Sequence, residues 1–387
     1  MSDTIEKIKS TSSFPLGEGR DGARKIFQWQ MVELNKEFQL IESTLTGLKE
    51  GEALIKIAGC GVCHTDISFW HHGVQTKHAL PLTLGHEISG VVVDGDEKWI
   101  GKKVIIPAVL PCGECELCKS GRSNICRNQL MPGNDFHGGF ASHIVVPSKF
   151  LCPVPEKVLE KYSLEQLAVV ADAISTPYQV IKKSELVPGD FAIVIGVGGV
   201  GIYGAQIAKI FGAKVLALDI DDEKLSVAKQ NGVDATFNTK GMDAKAVKDK
   251  VKEIAKELKA PKFGWKIFEI SGTKAGQDLA FNLITFASTL SIVGFTMDKV
   301  EVRLSNLMAF DAKLIGTWGC KPELYPEVVE LVANGKLKID QFVQTFPMSK
   351  INEVFRNTLE HKYTKRSVLV PDFSLTPTLS KREGVKK

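Results

Sequence analysis

One turn constrains this chain more than any other feature: Gly196-Val197-Gly198-Gly199-Val200-Gly201. It follows a continuous apolar run, Phe191–Ile195, and opens a helical stretch that reaches about residue 211. Glycines in this order let the backbone approach a diphosphate, which the positive end of the following helix then attracts. Asp219 stands at the end of the next strand, 18 residues past Gly201. Its carboxylate can accept hydrogen bonds from an adenosine ribose, and its charge repels a 2′-phosphate. The pattern therefore favours NAD over NADP. A plain glycine turn with a surface Asp is the alternative, and it leaves the order strand, turn, helix, strand, acid as coincidence.

The surrounding periodicity agrees. Strands expected at 191–195, 214–218, 235–237, 266–270 and 289–293 alternate with helices at 201–211, 222–231, 245–260 and 275–283. That alternation implies a parallel sheet covered by helices on both faces, an α/β doubly wound Rossmann unit. Val247, Val251, Ile254 and Leu258 mark one face of the third helix, so the lysines at 240–262 read as its solvated side. Between about 33 and 155 the pattern is different. Short β-like runs at 53–57, 88–93, 103–106 and 141–146, broken by Gly and Pro, predict a β-rich unit with long loops. The pattern turns mixed again after about 316. The first 26 or so residues read as a loose extension and 373–387 as a weakly ordered basic tail. A chain of 387 residues exceeds the ~250–300 at which single cores tend to split. The division expected is 1–179, completed by 317–387, against a cofactor unit at 180–316.

Charge and hydropathy exclude several function classes. The 49 basic and 45 acidic residues leave a net charge of only +4, too even to imply a nucleic-acid or membrane-surface partner. The longest apolar run, 191–205, is shorter than a bilayer span and carries five glycines. With no apolar stretch in residues 1–30 to act as a leader, a cytoplasmic location is expected.

Eight cysteines are present, and four crowd into fifteen residues as Cys112-x2-Cys115-x2-Cys118-x7-Cys126. Four thiolates on one loop can close a tetrahedral zinc site with no open position, a structural site. A nucleic-acid-binding zinc module is the alternative, but no basic recognition helix follows it. A second constellation lies upstream, in Cys63-His64-Thr65-Asp66 and Gly85-His86-Glu87. A thiolate, an imidazole and a third ligand from elsewhere would leave one position open, as catalytic zinc requires. Asp66 and Glu87 stand next to those ligands and can orient them.

Taken together, the Cys-His-Thr-Asp, Gly-His-Glu, four-Cys and glycine-turn motifs resemble the zinc-dependent medium-chain alcohol dehydrogenases over nearly the whole folded chain. The resemblance implies a GroES-like β-rich catalytic domain joined to the Rossmann domain, two zinc ions per chain (one catalytic, one structural) and a homo-oligomer, tetramer or dimer. It places Cys63 and His86 on the catalytic zinc, Thr65 at the hydroxyl that takes the substrate proton and His64 near the cofactor diphosphate. Thr176 falls beside the nicotinamide and Lys224 near the ribose. Gly196, Gly198, Gly199, Val200 and Gly201 form the dinucleotide turn, with Asp219, Ile270, Gly294, Phe295, Thr296 and Thr317 lining the rest of the cofactor site. Two positions depart from the family pattern. The third zinc ligand, usually Cys, is Asp172, and the usual relay histidine is Ser68, leaving His71 and His72 as the neighbouring imidazoles. The runs Val169 to Tyr178, Met131-Pro132-Gly133-Asn134 and 307–320 resemble family members acting on a cyclic hydroxyacyl-CoA in anaerobic breakdown of aromatic compounds, implying a small-molecule acyl-CoA substrate. Rival readings are a dehydrogenase of an ordinary secondary alcohol or polyol, a zinc-assisted hydratase or enoyl reductase on a conjugated thioester, and a non-enzymatic NAD-binding protein.

Overall fold

The computed structural model describes residues 24–373. Its central feature is a six-stranded parallel sheet in the order Ala235–Asn238, Lys214–Asp219, Phe191–Ile195, Lys266–Glu269, Thr289–Ile292, Lys313–Gly316. The strand that comes first in sequence, Phe191–Ile195, sits mid-sheet and the chain winds outward in both directions, the dinucleotide-binding order. All five residues of Phe191–Ile195 are buried, as a strand covered on both faces demands. Each of its larger side chains, Phe191, Ile193, Val194 and Ile195, contributes roughly 1.5–3 kcal/mol of burial.

The flanking helices begin where capping side chains allow. Asp221 accepts from Glu223 N and Lys224 N ahead of Asp222–Gln230, Asp243 from Ala246 N ahead of Ala244–Glu257, and Thr273 from Gly276 N ahead of Lys274–Asn282. The expected elements agree with these to within a few residues. Ala244–Glu257 buries Val247, Val251 and Ile254 and turns its lysines outward.

The second body is a seven-stranded sheet in which Glu52–Gly61, Glu87–Gly95, Lys103–Ile106 and Cys152–Pro153 run antiparallel, with His143–Pro147 also paired to Glu52–Gly61. Chain from beyond the parallel sheet returns to it: Arg366–Val370 pairs with Glu52–Gly61, and Val343–Pro347 with Arg366–Val370. Its core gathers Ile55, Leu84, Ile88, Phe140 and Phe355, while a separate cluster around Tyr178, Tyr203 and Tyr325 cements the two bodies.

Three expectations need revision. The loose extension ends earlier than residue 26, because Arg24–Gln30 is a strand paired with Gln39–Leu45; residues 1–23 lie outside the described residues, as do 374–387 of the expected tail. Phe373 is placed, stacked on Phe27 at 5.6 Å. A sixth parallel strand, Lys313–Gly316, lies on the sheet edge where no strand was expected. Among the described residues, no helix is long and apolar enough to cross a membrane.

Candidate active site and dinucleotide cradle

Three separate segments deliver the polar cluster. Cys63 caps the helix His64–Trp70, which follows the strand Glu52–Gly61. His86 immediately precedes Glu87–Gly95, and Asp172 ends the turn Gln166–Ala171 just before the helix Ser175–Lys183. Cys63, His86, Glu87 and Asp172 bring ligand atoms within 4.8 Å of one another. Asp172 Oδ2 lies 3.8 Å from Cys63 Sγ and 3.7 Å from His86 Nε2. Tetrahedral zinc with these donors would need edges of about 3.4–3.6 Å, so a few tenths of an ångström separate this arrangement from a ligand set.

The neighbours hold those donors in place. Asp66 Oδ2 accepts from Cys63 N at 2.9 Å, while Oδ1 accepts from Gly85 N at 3.0 Å and faces His86 Nδ1 at 3.4 Å. One carboxylate thereby ties both ligand-bearing segments. Thr176 Oγ1 donates to Asp172 Oδ1 at 2.5 Å, leaving Oδ2 for the cluster. Glu87 is bound on both oxygens by Arg366, with Nε to Oε2 at 3.1 Å, and both residues are buried. Glu87 is thus committed to an ion pair although its carboxylate reaches the cluster.

The electrostatics fit a cation. Burial works to raise the Asp172 carboxyl, but His86, Thr176 and Arg366 outweigh it and hold it at about 2. Burial also disfavours a proton on His86, yet Asp66 and the hydrogen-bonding Asp172 and Cys63 push its pKa well above the ordinary value. A buried thiol, carboxylate and imidazole that recruit a proton onto the imidazole are short of positive charge, which zinc supplies. Thr65 Oγ1 sits 3.7 Å from Cys63 Sγ, at the rim of this cluster. Ser68 Oγ donates to His64 O at 2.8 Å.

The thiols of Cys112, Cys115, Cys118 and Cys126 meet as the spacing predicted. Sulfur separations are 3.4 Å for Cys112–Cys126, 3.5 Å for Cys115–Cys118, 3.7 Å for Cys115–Cys126 and 3.9 Å for Cys112–Cys118. Four Zn–S bonds of about 2.3 Å imply edges of about 3.8 Å. Backbone N–H groups of Glu114 and Cys115, both 3.4 Å from Cys112 Sγ, help bring that thiol down to about 6. The lobe also touches the chain beyond the parallel sheet. Asn124 Nδ2 donates to Trp318 O at 2.8 Å and Ser123 Oγ to Glu323 Oε2 at 2.8 Å. From the other side Gln179 Nε2 donates to Thr317 Oγ1 and Gly319 O, both at 2.9 Å, and its Oε1 accepts from Lys321 N. The helix that follows Asp172 therefore clamps the 317–321 loop.

The glycine turn is built for close approach. A Cβ on Gly201 would fall 1.8 Å from Gly196 O, whereas Gly198 has open space around it. The helix Gly201–Ile210 begins at Val200 with no side-chain cap, so its first N–H groups are available to a ligand. Asp219 Oδ2 accepts from Val197 N at 2.8 Å and Oδ1 from Ile220 N at 2.8 Å, which anchors the carboxylate at the rim of the turn. Lys224 Nζ lies 3.8 Å from Asp221. Ile270 N donates to Ile195 O, Gly294 O accepts from Gln277 Nε2, Thr296 Oγ1 accepts from Asp298 N, and Phe295 is exposed.

Sequence reasoning missed Arg366, Gln179 and Glu269. Arg366 carried a usable signal, a charge set one residue ahead of the apolar run Val368-Leu369-Val370. Glu269 is fully buried at the end of its strand, with Oε1 accepting from Ser271 N and Gly272 N and Oε2 unpartnered among the described residues; burial raises its pKa.

Comparison with known proteins gives two family matches. Residues 49–156 match the alcohol dehydrogenase GroES-like domain and residues 199–334 the zinc-binding dehydrogenase domain. An alcohol dehydrogenase of Geobacillus stearothermophilus is 30% identical over 347 residues, 88% of this chain and 98% of that protein. Among solved structures, the alcohol dehydrogenase of Aeropyrum pernix superposes with a TM-score of 0.76 at 27% identity, over 89% of this chain and 100% of that one. Galactitol-1-phosphate dehydrogenase from Escherichia coli gives 0.80 at 24% identity, over 89% and 100%.

Proposed function

Because the chain belongs to the zinc-binding alcohol dehydrogenase family, and is thus an NAD-dependent, zinc-containing oxidoreductase acting on alcohols, we propose that Cys63, His86 and Asp172 hold its catalytic zinc. The observation that carries this reading is the convergence of those three donors from three segments, with Asp66 and Thr176 aiming them. Cys112, Cys115, Cys118 and Cys126 hold the structural ion. When bound, zinc supplies Lewis acidity to the substrate oxygen and NAD supplies the hydride acceptor. Thr65 takes the hydroxyl proton. Asp66 fixes the ligand geometry, and the Glu87–Arg366 pair keeps a buried carboxylate beside the ligands neutralised. The 196–201 turn with Asp219 and Lys224 seats the dinucleotide, His64 lies at its diphosphate, and Thr176, Ile270, Gly294, Phe295, Thr296 and Thr317 surround the nicotinamide end. Residues 1–179 with 317–387 act as the catalytic unit and 180–316 as the cofactor unit.

For the substrate we favour a cyclic allylic alcohol β to a CoA thioester, because the Asp172-containing run, the 131–134 segment and the 307–320 segment are similar to 6-hydroxycyclohex-1-ene-1-carbonyl-CoA dehydrogenase. With NAD bound as the hydride acceptor, the carbinol carbon would lose a hydride and its hydroxyl proton would pass on through Thr65 to solvent, leaving the 6-oxo enone, a step in anaerobic benzoyl-CoA degradation. The protein works in the cytoplasm as a homodimer or tetramer. The edge strand Lys313–Gly316, with Leu314 exposed on it and Leu304 and Met308 exposed nearby, suits pairing with a second copy. The test is NADH formation with cyclic hydroxyacyl-CoA thioesters, the corresponding free acids and simple alcohols. Turnover confined to the thioesters is expected. Equal turnover of free alcohols would reassign the substrate, and water addition without NAD would reassign the reaction.

A further inference from the structure

We propose that His361 is a further cofactor-binding residue, its imidazole standing beside His64 against the diphosphate of the bound dinucleotide. The inference rests on the reading of the 196–201 turn as the dinucleotide cradle and of His64 as its neighbour.

His361 follows the helix Ile351–Leu359 and is held with φ at +55°, a left-handed backbone that a side chain adopts at a cost and glycine adopts freely. Nothing in local packing requires a histidine there, since the residue is exposed and its backbone N–H simply closes the helix onto Thr358 O at 3.1 Å. What the conformation achieves is a ring position. The imidazole stacks on His64 with centroids 5.9 Å apart and planes at 23°. Neither ring has a hydrogen-bond partner among the described residues.

The pair shares charged neighbours with the cradle. Arg366, five residues further on, brings Cδ to 3.4 Å and Nη1 to 3.6 Å of the point where a Cβ on Gly199 would stand. The cationic Arg366 and Lys224 both lie close enough to act on the His64 ring. Arg366 is already paired with Glu87, and Lys224 lies near Asp221. The two imidazoles are therefore the uncommitted donors of the group, while Arg366 lies against the turn whose helix has no side-chain cap. Paired N–H donors beside a guanidinium suit a ligand with several anionic oxygens, and the dinucleotide diphosphate is the one this cradle accepts.

The experiment uses the zinc-loaded full chain and measures NADH and ADP-ribose affinity, by fluorescence titration and calorimetry, for wild type, His361→Gly and His361→Asn. Glycine suits the left-handed backbone, so the variant should melt at or above the wild-type temperature. It should nevertheless bind NADH and ADP-ribose roughly tenfold more weakly, the worth of one hydrogen bond to a charged group. Adenosine, which has no phosphate, should bind both proteins equally. Asparagine tolerates the same backbone and keeps an N–H donor, so it should recover part of the affinity. Unchanged NADH affinity in His361→Gly, beside normal wild-type binding, would overturn this assignment alone. An equal loss for adenosine, or a loss for free CoA in place of NADH, would overturn it too. A wild-type protein unable to bind NADH would overturn the cradle reading with it.

Discussion

Arg366→Ala is the most informative single perturbation of the ion pair behind the metal site. Wild-type Arg366 is 6% exposed and Glu87 fully buried, and the guanidinium meets both carboxylate oxygens. Removing it leaves a carboxylate with no counter-charge, one residue from His86 and close to Asp172. Breaking a buried pair from one side costs about 3–5 kcal/mol, because the remaining charge cannot recover its hydration. On a domain-sized unfolding unit this is roughly 6–15 °C of melting temperature. The pair joins Glu87–Gly95 to Arg366–Val370, so the loss should also loosen the attachment of the C-terminal strands. Glu87→Gln placed in the same background removes the orphaned charge and should restore part of the stability, giving a double-mutant cycle with clear coupling. Thermal unfolding followed by circular dichroism at fixed zinc concentration reads both effects. A melting temperature within about 2 °C of wild type, against the 6–15 °C worked from burial, would refute the reasoning, as would additive behaviour of the two changes.

Other outcomes follow from the same geometry. Cys115→Ser should leave the four-sulfur site one ligand short, lower the yield of folded protein and the melting temperature, and loosen Trp318 through Asn124; soluble, thermally normal protein lacking only one zinc would contradict the structural assignment. Asp219→Gly should lower kcat/KM with NAD by roughly 10–100-fold, the scale of hydrogen bonds to a charged acceptor, and narrow the preference over NADP; an unchanged NAD/NADP ratio would mean that another residue reads the ribose. Gly201→Ala should abolish NADH binding while zinc content stays normal, because its Cβ would stand 1.8 Å from Gly196 O; normal NADH titration would contradict the close approach.

Local pattern carried much of this molecule, and long-range pairing carried the rest. Phe191–Ile195, the helices after it and the four-Cys lobe are written in consecutive residues, where period, glycine and spacing speak directly. The hairpin of Arg24–Gln30 and Gln39–Leu45 escaped because its strands are half-exposed and rich in Gln, Lys and Glu, so their alternation is weak. Lys313–Gly316 escaped as a short edge strand with little buried surface. Asp172 was placed only through family resemblance; its role as a cluster member depends on segments more than 80 residues apart in the chain. Glu87 and Arg366 are 279 residues apart, and no local pattern pairs them. Gln179 looks like an ordinary helix residue until the 317–321 loop is seen folded against it.

The central claim is that Asp172 completes the open zinc site of this dehydrogenase, and metal analysis of Asp172→Ala tests it most directly. Wild type has two ligand clusters and should carry two zinc ions per chain. The alanine variant should keep the ion held by the four cysteines, lose most of the other, and fall in kcat for NADH formation as Lewis-acid stabilisation goes. Asp172→Cys should recover the metal. Full retention of both zinc ions with most of the activity in Asp172→Ala would contradict the claim and require a different third ligand.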